Sequence, residues 1–194
     1  MPAWTAVILS GGKGRRLGNV EKSTLQINGE SLLDLVLATL PTDVPVIVVG
    51  PEVPTKRSVR FLLEQPRFGG PVAGLAAALP HVQTELMGVL ATDMPRAGAL
   101  LPALVDAHAE AGAEALIPRD AAGRSQYLCA VYATAALQRA VQQLPAVEGA
   151  ALRAVIEQLR VHEPALTDEQ RAALTDIDTP DDLRAAQTPP PISG

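Results

Sequence analysis

The chain has 194 residues, of which 47% are hydrophobic and 19% charged, and its 16 Lys and Arg face 21 Asp and Glu, a formal net charge of −5. The hydrophobic content excludes disorder of the whole chain, and the length predicts one compact domain. The acidic balance argues against nucleic-acid binding. One cysteine excludes an internal disulfide, and the first apolar run ends at Leu9, too short to span a membrane, so we expect a cytoplasmic protein.

Short apolar runs alternate with helix-like segments along the chain. Strands are predicted at 5–9, 45–50, 86–91, 115–117 and 128–132, and helices at 31–40, 71–79, 98–111, 134–144, 149–159 and 180–187. Such alternation is typical of βαβ crossovers and a mainly parallel sheet. We therefore predict a single α/β domain over residues 1–187, a Rossmann-like three-layer sandwich with helices on both faces. The Pro-rich segment 188–194 is predicted to be a disordered tail.

Ligands of such sheets bind beyond the carboxyl ends of the strands, which predicts a site at the loops after Leu9, Gly50 and Ala91. The first of these loops, residues 9–22, holds four glycines and four cations, including two of the chain's three lysines. Glycines let backbone N–H groups approach an anion closely, so the segment suits a phosphate group. The alternative is a solvated turn with scattered basic residues. The spacing matches neither the P-loop nor the dinucleotide-binding motif.

The loop resembles the signature of the nucleotidyltransferases that make molybdenum cofactor dinucleotides, most closely the molybdenum cofactor guanylyltransferase family. Four blocks carry the resemblance in the family's order: 9–29, 70–75, 91–95 and 176–183. The resemblance implies a nucleotidyltransferase domain of the nucleotide-diphospho-sugar transferase type. It further implies that GMP is transferred from GTP to the terminal phosphate of molybdenum-molybdopterin, with Mg²⁺ required and pyrophosphate released.

The resemblance also implies roles for individual residues. Lys22, Arg16 and Asp93 are the expected catalytic residues. The expected nucleotide-binding residues are Leu9, Ser10, Gly11, Gly12, Lys22, Gly50, Gln65 and Asp93. The family reads its base with a carboxylate near positions 64–65, where Gln65 is the natural match and Glu64 takes the role if the register shifts by one. A carboxylate accepts both N1–H and N2–H of guanine, whereas a glutamine offers one acceptor and one donor group.

Two carboxylates are expected on the metal side of the site. Asp93 follows a buried strand, and Mg²⁺ prefers one or two carboxylates together with phosphate oxygens and water. The alternative is an aspartate that caps the next turn. Asp176 and Asp178 alternate onto one face of an extended segment, and the resemblance makes Asp178 the second candidate ligand. The competing interpretation is a helix start, with Thr179 as cap.

The later segment 119–127 also resembles the family's, which implies that the acceptor half of the site lies there. Arg124 and Gln126 are candidate contacts to the pterin or its phosphate, against the alternative of a polar turn. The expected partners are GTP and molybdenum-molybdopterin, with a monomer or weak homo-oligomer that contacts cofactor-donating or accepting proteins transiently. The other functions considered are a CTP-using cytidylyltransferase of the same cofactor, a nucleotidyltransferase for another small phosphorylated acceptor, and a nucleotide-binding carrier protein.

Overall fold

The structure is a computed structural model that describes residues 4–11, 13–14, 20–21 and 25–187. The predicted tail 188–194 lies outside these residues. The strands formed in the described part of the chain are β1 (Trp4–Leu9), β2 (Lys13–Gly14), β3 (Val20–Glu21), β4 (Gln26–Ile27), β5 (Glu30–Ser31), β6 (Val46–Val49), β7 (Arg60–Leu62), β8 (Leu86–Ala91), β9 (Ala115–Leu116), β10 (Cys129–Ala133) and β11 (Val161–His162). The α-helices are α1 (Leu32–Ala38), α2 (Pro71–Ala78), α3 (Leu101–Ala111), α4 (Thr134–Gln142), α5 (Leu152–Ile156), α6 (Asp168–Ala172) and α7 (Pro180–Gln187).

A seven-stranded sheet in the order β11-β9-β10-β8-β1-β6-β7 forms the centre of the molecule. β1 pairs in parallel with β6 on one side and β8 on the other, and β7 continues the parallel set beyond β6. β10 is antiparallel to both of its neighbours, so it is the exception in an otherwise parallel sheet. Two short hairpins, β2–β3 and β4–β5, lie outside this sheet. The predicted mainly parallel α/β sheet is confirmed.

Helices cover both faces of the sheet, because the strands are apolar on both sides. Ala6 and Ile8 of β1 pack into a buried cluster with α1 and α3, whereas Val7 between them packs into a second cluster with α2, α4 and α5. Residues 4–8 are all buried. Continuous apolar strands of this kind are typical of parallel sheets covered on both faces. The predicted three-layer arrangement is therefore confirmed.

Local signals fix several helix ends as predicted. Ser31 caps α1, where its Oγ accepts a hydrogen bond of 3.0 Å from the backbone N–H of Asp34. Pro71 is the first residue of α2, a position at which its missing N–H costs nothing. The predicted helices at 98–111 and 149–159 are shorter than expected, because the first opens with a 3₁₀ turn and the second is helical only over α5.

Cys129 is the first residue of β10 and is fully buried, as its apolar surroundings predict. Burial raises the pKa of its thiol to about 12, so the side chain behaves as a small hydrophobic group. None of the helices in the described residues combines the length and apolar character needed to cross a membrane.

Candidate active site

A cavity of about 240 Å³ opens at the carboxyl ends of the parallel strands. β1 is the point at which the strand order changes direction, since β6 continues on one side of it and β8 on the other, and open α/β sheets bind ligands at such a point. The residues that line the cavity are Leu9, Ser10, Gly11, Val49, Glu64, Gly70, Pro71, Gly74, Ala91, Thr92, Asp93 and Leu128. The cavity thus lies at the ends of the strands from which the sequence predicted a site.

Ser10 gives the cavity a polar group with no protein partner in the described residues. The residue is 2% exposed, and its backbone N–H donates to the carbonyl of Val49 at 2.8 Å, which fixes the start of the first loop. Its Oγ is buried and forms no hydrogen bond within the described residues. Buried hydroxyl groups nearly always have a hydrogen-bond partner, so an unpaired hydroxyl at the cavity wall indicates a group that a bound ligand would pair with. Gly11 follows at the cavity edge.

Gly50 packs closely against Ser10 at the start of the first loop. A Cβ at this position would lie 3.0 Å from the Cβ of Ser10 and 3.1 Å from its carbonyl carbon, so a side chain would push the loop away. The Gly50 N–H donates to the carbonyl of Leu62 at 2.8 Å, which ties the end of β6 to β7. Gly50 is not among the residues that line the cavity. The structure therefore places this predicted nucleotide-binding residue against Ser10 and outside the set of residues that line the cavity.

Glu64, not Gln65, faces the cavity. The Glu64 side chain is buried, and its Oε1 accepts a hydrogen bond of 2.9 Å from the backbone N–H of Phe68. The same oxygen lies 3.6 Å from the position that a Cβ on Gly11 would occupy. Gln65 is exposed and does not line the cavity. Of the two residues that the sequence offers at this position, the turn that follows β7 directs the Glu64 carboxylate inward and leaves Gln65 in solvent.

The N-terminus of α2 opens onto the same cavity. Its cap residue, Gly70, provides no side-chain hydrogen bond, so the first N–H groups of the helix carry their partial positive charge toward the cavity. Gly74 allows the helix to lie close to β1, because a Cβ there would be 3.1 Å from Cδ2 of Leu9. This end of α2 therefore contributes a positive electrostatic potential that favours an anionic ligand, but it contributes no charged side chain.

Asp93 lies at the end of β8, half-buried in the cavity wall. The preceding Thr92 donates from both its N–H and its Oγ1 to the carbonyl of Leu9, at 3.2 and 3.1 Å, which locks the ends of β8 and β1 together. The carbonyl of Asp93 accepts a hydrogen bond of 2.8 Å from Ile177, which brings the segment 176–178 beside it. Two predicted carboxylate positions thereby meet at one edge of the sheet.

The carboxylates at this edge repel one another. Burial raises the pKa of Asp176, and the negative charges of Asp178 and Asp93 raise it further. Arg124 opposes this rise through its positive charge. Within the described residues no group of three His, Cys, Asp or Glu side chains is arranged to hold a metal. The donors present suit Mg²⁺, which binds through one or two carboxylates and takes its other ligands from phosphates and water.

The two interpretations of Asp178 are compatible. Helix α7 is capped by Thr179, whose Oγ1 accepts from the N–H of Asp182 at 3.2 Å, while Oδ2 of Asp182 accepts from the N–H of Thr179 at 2.8 Å. This reciprocal pair makes Thr179 and Asp182 the capping residues of the helix. The backbone N–H of Asp178 also donates to Oδ2 of Asp182, at 3.1 Å. The segment is therefore held rigidly as a helix start beside the site.

Arg124 and Gln126 lie in a polar turn that leads to the cavity-lining residue Leu128. Both side chains bond to Asp120, a nearly buried carboxylate that the sequence did not single out. Its signal was present in the sequence as an aspartate four residues before the arginine.

Three expected site residues, Gly12, Arg16 and Lys22, lie outside the described residues. Their roles in catalysis and nucleotide binding stay predictions from the sequence.

Comparison with known proteins gives one consistent group of relatives. A family described as the MobA-like NTP transferase domain matches residues 6–164. The molybdenum cofactor guanylyltransferase of Acidiphilium cryptum is 30% identical over 190 residues, 94% of this chain and 93% of that protein. The probable molybdenum cofactor guanylyltransferase of Methanosarcina acetivorans is 30% identical over 128 residues, and the match spans only 56% of that relative's length.

Solved structures share the fold of this chain. The molybdopterin-guanine dinucleotide biosynthesis protein A of Archaeoglobus fulgidus superposes with a TM-score of 0.75 at 25% identity, covering 94% of this chain and 96% of that one. The 2-C-methyl-D-erythritol 4-phosphate cytidylyltransferase of Thermus thermophilus superposes with a TM-score of 0.66 at 20% identity, with the same coverage of both chains. The second likeness shows the shared fold.

Proposed function

The chain belongs to the MobA-like NTP transferase family, and on this premise we propose that it transfers GMP from GTP to the terminal phosphate of molybdenum-molybdopterin. The products are the guanine dinucleotide of the cofactor and pyrophosphate. The observation that carries the proposal is one cavity with a buried carboxylate, Glu64, at one side and a second carboxylate, Asp93, at the other. Glu64 follows β7 and Asp93 follows β8, and these two strands lie on opposite sides of β6 and β1 in the sheet.

The reaction needs charge neutralisation and alignment rather than proton transfer. The attacking group is a phosphate monoester, which is already anionic at neutral pH, so no general base is required. Two polyanions must be brought together in line, and the leaving pyrophosphate must be stabilised. The amide groups of the first loop and the basic side chains of Arg16 and Lys22 are suited to this task. Asp93, with Asp178 as the second candidate, would hold Mg²⁺, which would supply positive charge to the phosphates.

Guanine is read by Glu64. Its carboxylate forms one hydrogen bond, to Phe68, and no ion pair within the described residues, so it retains acceptor capacity toward the cavity. Guanine presents two adjacent donors, N1–H and N2–H, which a carboxylate can accept together. Cytosine presents acceptors at the corresponding ring edge and would face the same carboxylate unfavourably. The carboxylate at position 64 therefore favours GTP over CTP.

A panel of GTP, CTP, UTP and ATP with Mg²⁺ in a thermal unfolding experiment tests base choice directly. GTP at 100 times its Kd is expected to stabilise the protein by about 2.7 kcal/mol, a rise in Tm of about 5–10 °C for a domain of this size. The other nucleotides are expected to shift the Tm by less than half as much. Turnover with molybdenum-molybdopterin and release of pyrophosphate then tests the transfer itself.

Each other outcome has a definite meaning. A selective response to CTP would replace the guanylyltransferase with its cytidylyltransferase relative. GTP binding without turnover of this acceptor would favour another small phosphorylated acceptor. Binding without turnover of any phosphorylated acceptor would indicate a nucleotide carrier, and no response to any of the four nucleotides would refute nucleotide binding altogether.

Lys22→Met is expected to lower kcat about 10- to 100-fold, because a hydrogen bond between charged groups contributes roughly 1.5–3 kcal/mol. The effect should be larger on kcat than on the Kd for GTP if the ammonium group acts on charge that develops during transfer. The matched control is Lys56→Met, since Lys56 is exposed and pairs with Glu30 away from the cavity. An unchanged kcat in Lys22→Met, measured by pyrophosphate release, would remove Lys22 from the catalytic machinery.

A further inference from the structure

Asp120 is a charged side chain placed almost entirely inside a turn. The residue is 7% exposed, and its two oxygens accept four hydrogen bonds. Oδ1 accepts from the backbone N–H groups of Ala122 and Arg124, both at 2.9 Å. Oδ2 accepts from Nε of Arg124 and from Nε2 of Gln126, both at 2.8 Å. Oδ1 therefore accepts the backbone hydrogen bonds that close the turn, while Oδ2 accepts the hydrogen bonds of two side chains.

The Asp120 carboxyl group is ionised at neutral pH. Burial works to raise its pKa, but the hydrogen bonds from the backbone and side chain of Arg124, together with its charge, leave the pKa below its usual value. An ionised carboxylate can only accept hydrogen bonds. The amide nitrogen of Gln126 must therefore face Asp120, which leaves the Gln126 carbonyl oxygen as the group presented on its other side.

The same bond sets the direction of Arg124. Its Nε is engaged by Asp120, whereas the side chain as a whole is 71% exposed, so the two terminal nitrogens of the guanidinium group remain in solvent. Guanidinium nitrogens in this arrangement match two oxygens of a phosphate group. The positive charge of Arg124 already reaches the carboxyl of Asp176 at the site edge.

The turn lies directly against the cavity. The backbone N–H of Gln126 donates to the carbonyl of Pro118 at 2.9 Å and its carbonyl accepts from Cys129 at 3.0 Å, which closes the turn onto β10. Between them Leu128 lines the cavity, and its carbonyl accepts from the N–H of Ala91 at 2.9 Å. The turn thus adjoins the end of β8, two residues from Asp93.

We propose that Asp120 is a positioning residue for the acceptor substrate: it aims the terminal guanidinium nitrogens of Arg124 at a phosphate monoester and the carbonyl oxygen of Gln126 at an N–H donor of an attached heterocycle. This inference rests on the proposed transfer to a phosphorylated pterin and deepens it by assigning the acceptor side of the site. On the nucleotide side, Glu64 and Ser10 form no hydrogen bond to this turn within the described residues.

Asp120→Asn separates the two functions of the carboxylate. Oδ1 of the asparagine still accepts from Ala122 and Arg124, so the turn keeps its backbone bonds. The amide nitrogen then takes the place of Oδ2 and faces the Arg124 Nε and the Gln126 Nε2, which are both donors. Because a donor cannot accept these hydrogen bonds, the side chains of Arg124 and Gln126 are released. The KM for molybdenum-molybdopterin is expected to rise about 10- to 100-fold, while the KM for GTP and the Tm shift produced by GTP stay within twofold of the wild-type values.

The matched control is Glu157→Gln, because Glu157 also holds the Nε of an exposed arginine four residues away, Arg153, at 2.7 Å. Arg124→Ala provides a second variant that leaves the turn's backbone bonds in place, and it is expected to raise the acceptor KM to a similar extent. Protection of the Ala122 amide from hydrogen exchange confirms that the turn persists in both variants.

The outcomes distinguish the inference from the function on which it rests. If the wild-type protein forms no dinucleotide, the proposed function fails. If the wild type is active and both variants leave the acceptor KM unchanged, the positioning role of Asp120 is refuted. A fall in kcat with both KM values unchanged, accompanied by loss of amide protection, would show that Asp120 only maintains the fold, which also overturns the inference.

Discussion

Asp93→Asn is expected to lower kcat about a thousandfold with GTP and Mg²⁺, at the upper end of the loss caused by removing one electrostatic contact to the reacting group. Asparagine keeps the size of the side chain and its carbonyl oxygen, but it removes the negative charge that would hold the cation against the phosphates. The backbone bonds that fix this position, from Ile177 to the carbonyl of Asp93 and from Thr92 to Leu9, do not involve the carboxylate. The variant should therefore fold normally.

A change in cation dependence distinguishes a ligand from a merely charged neighbour. In Asp93→Asn the Mg²⁺ concentration that gives half-maximal activity should rise at least tenfold, whereas the Kd for GTP without Mg²⁺ should stay the same or fall, because a repulsive carboxylate has been removed. Asp106→Asn is the matched control, since Asp106 is exposed on α3 away from the cavity. Full activity of Asp93→Asn at the wild-type Mg²⁺ requirement would exclude Asp93 as a ligand.

The position of the site follows from the sequence because it depends on buried strands. Runs such as 5–9 and 86–91 are apolar throughout, as strands covered on both faces must be, and the chain between them has the length of crossovers. Parallel strands bring their carboxyl ends to one edge, so the loops after Leu9 and Ala91 had to meet. The orientation of the side chains does not enter, and the hydrogen bonds from Thr92 to the carbonyl of Leu9 show that the two loops do meet.

The short strands at the two edges of the sheet cannot be predicted from the sequence in the same way. β7 has three residues and β11 has two, and a run of that length carries too little periodicity to separate a strand from a loop. Their place is decided by the neighbouring strand, which offers unpaired backbone groups that any adjoining extended segment can satisfy. The antiparallel direction of β10 is likewise set by the path of the chain through the turn at 119–126, and not by the composition of the strand.

Side-chain direction in a turn is the other property that the sequence leaves open. Glu64 and Gln65 are neighbours of similar size, and the bond from the Phe68 N–H to the Glu64 carboxylate decides which of them faces the cavity. Asp120 is a comparable case, because two of its four partners are backbone N–H groups that converge only once the turn is formed. Such residues are visible in the sequence as polar positions, but their function depends on closure of the local backbone.

The Glu64 carboxylate in the cavity wall leads to a direct test of base recognition. Glu64→Gln is expected to lower kcat/KM for GTP about a thousandfold. Two charge-assisted hydrogen bonds, each worth roughly 1.5–3 kcal/mol, are replaced by one neutral bond and one donor that faces a guanine N–H. Gln65→Ala is the control, because Gln65 is exposed beside the turn and does not line the cavity. A large loss in Gln65→Ala with little change in Glu64→Gln would restore the register expected from the sequence.

Inosine triphosphate makes the test specific to the base edge, since it keeps N1–H and lacks the N2 amino group. In the wild type the ratio of kcat/KM for GTP to that for the inosine nucleotide should be about 10–100, the value of one hydrogen bond to a charged group. In Glu64→Gln this ratio should fall, because the charge is lost and the one neutral acceptor oxygen of glutamine cannot serve both guanine N–H groups. A variant that loses activity equally on both nucleotides but keeps the wild-type ratio would show that Glu64 shapes the loop at Gly11 without reading guanine.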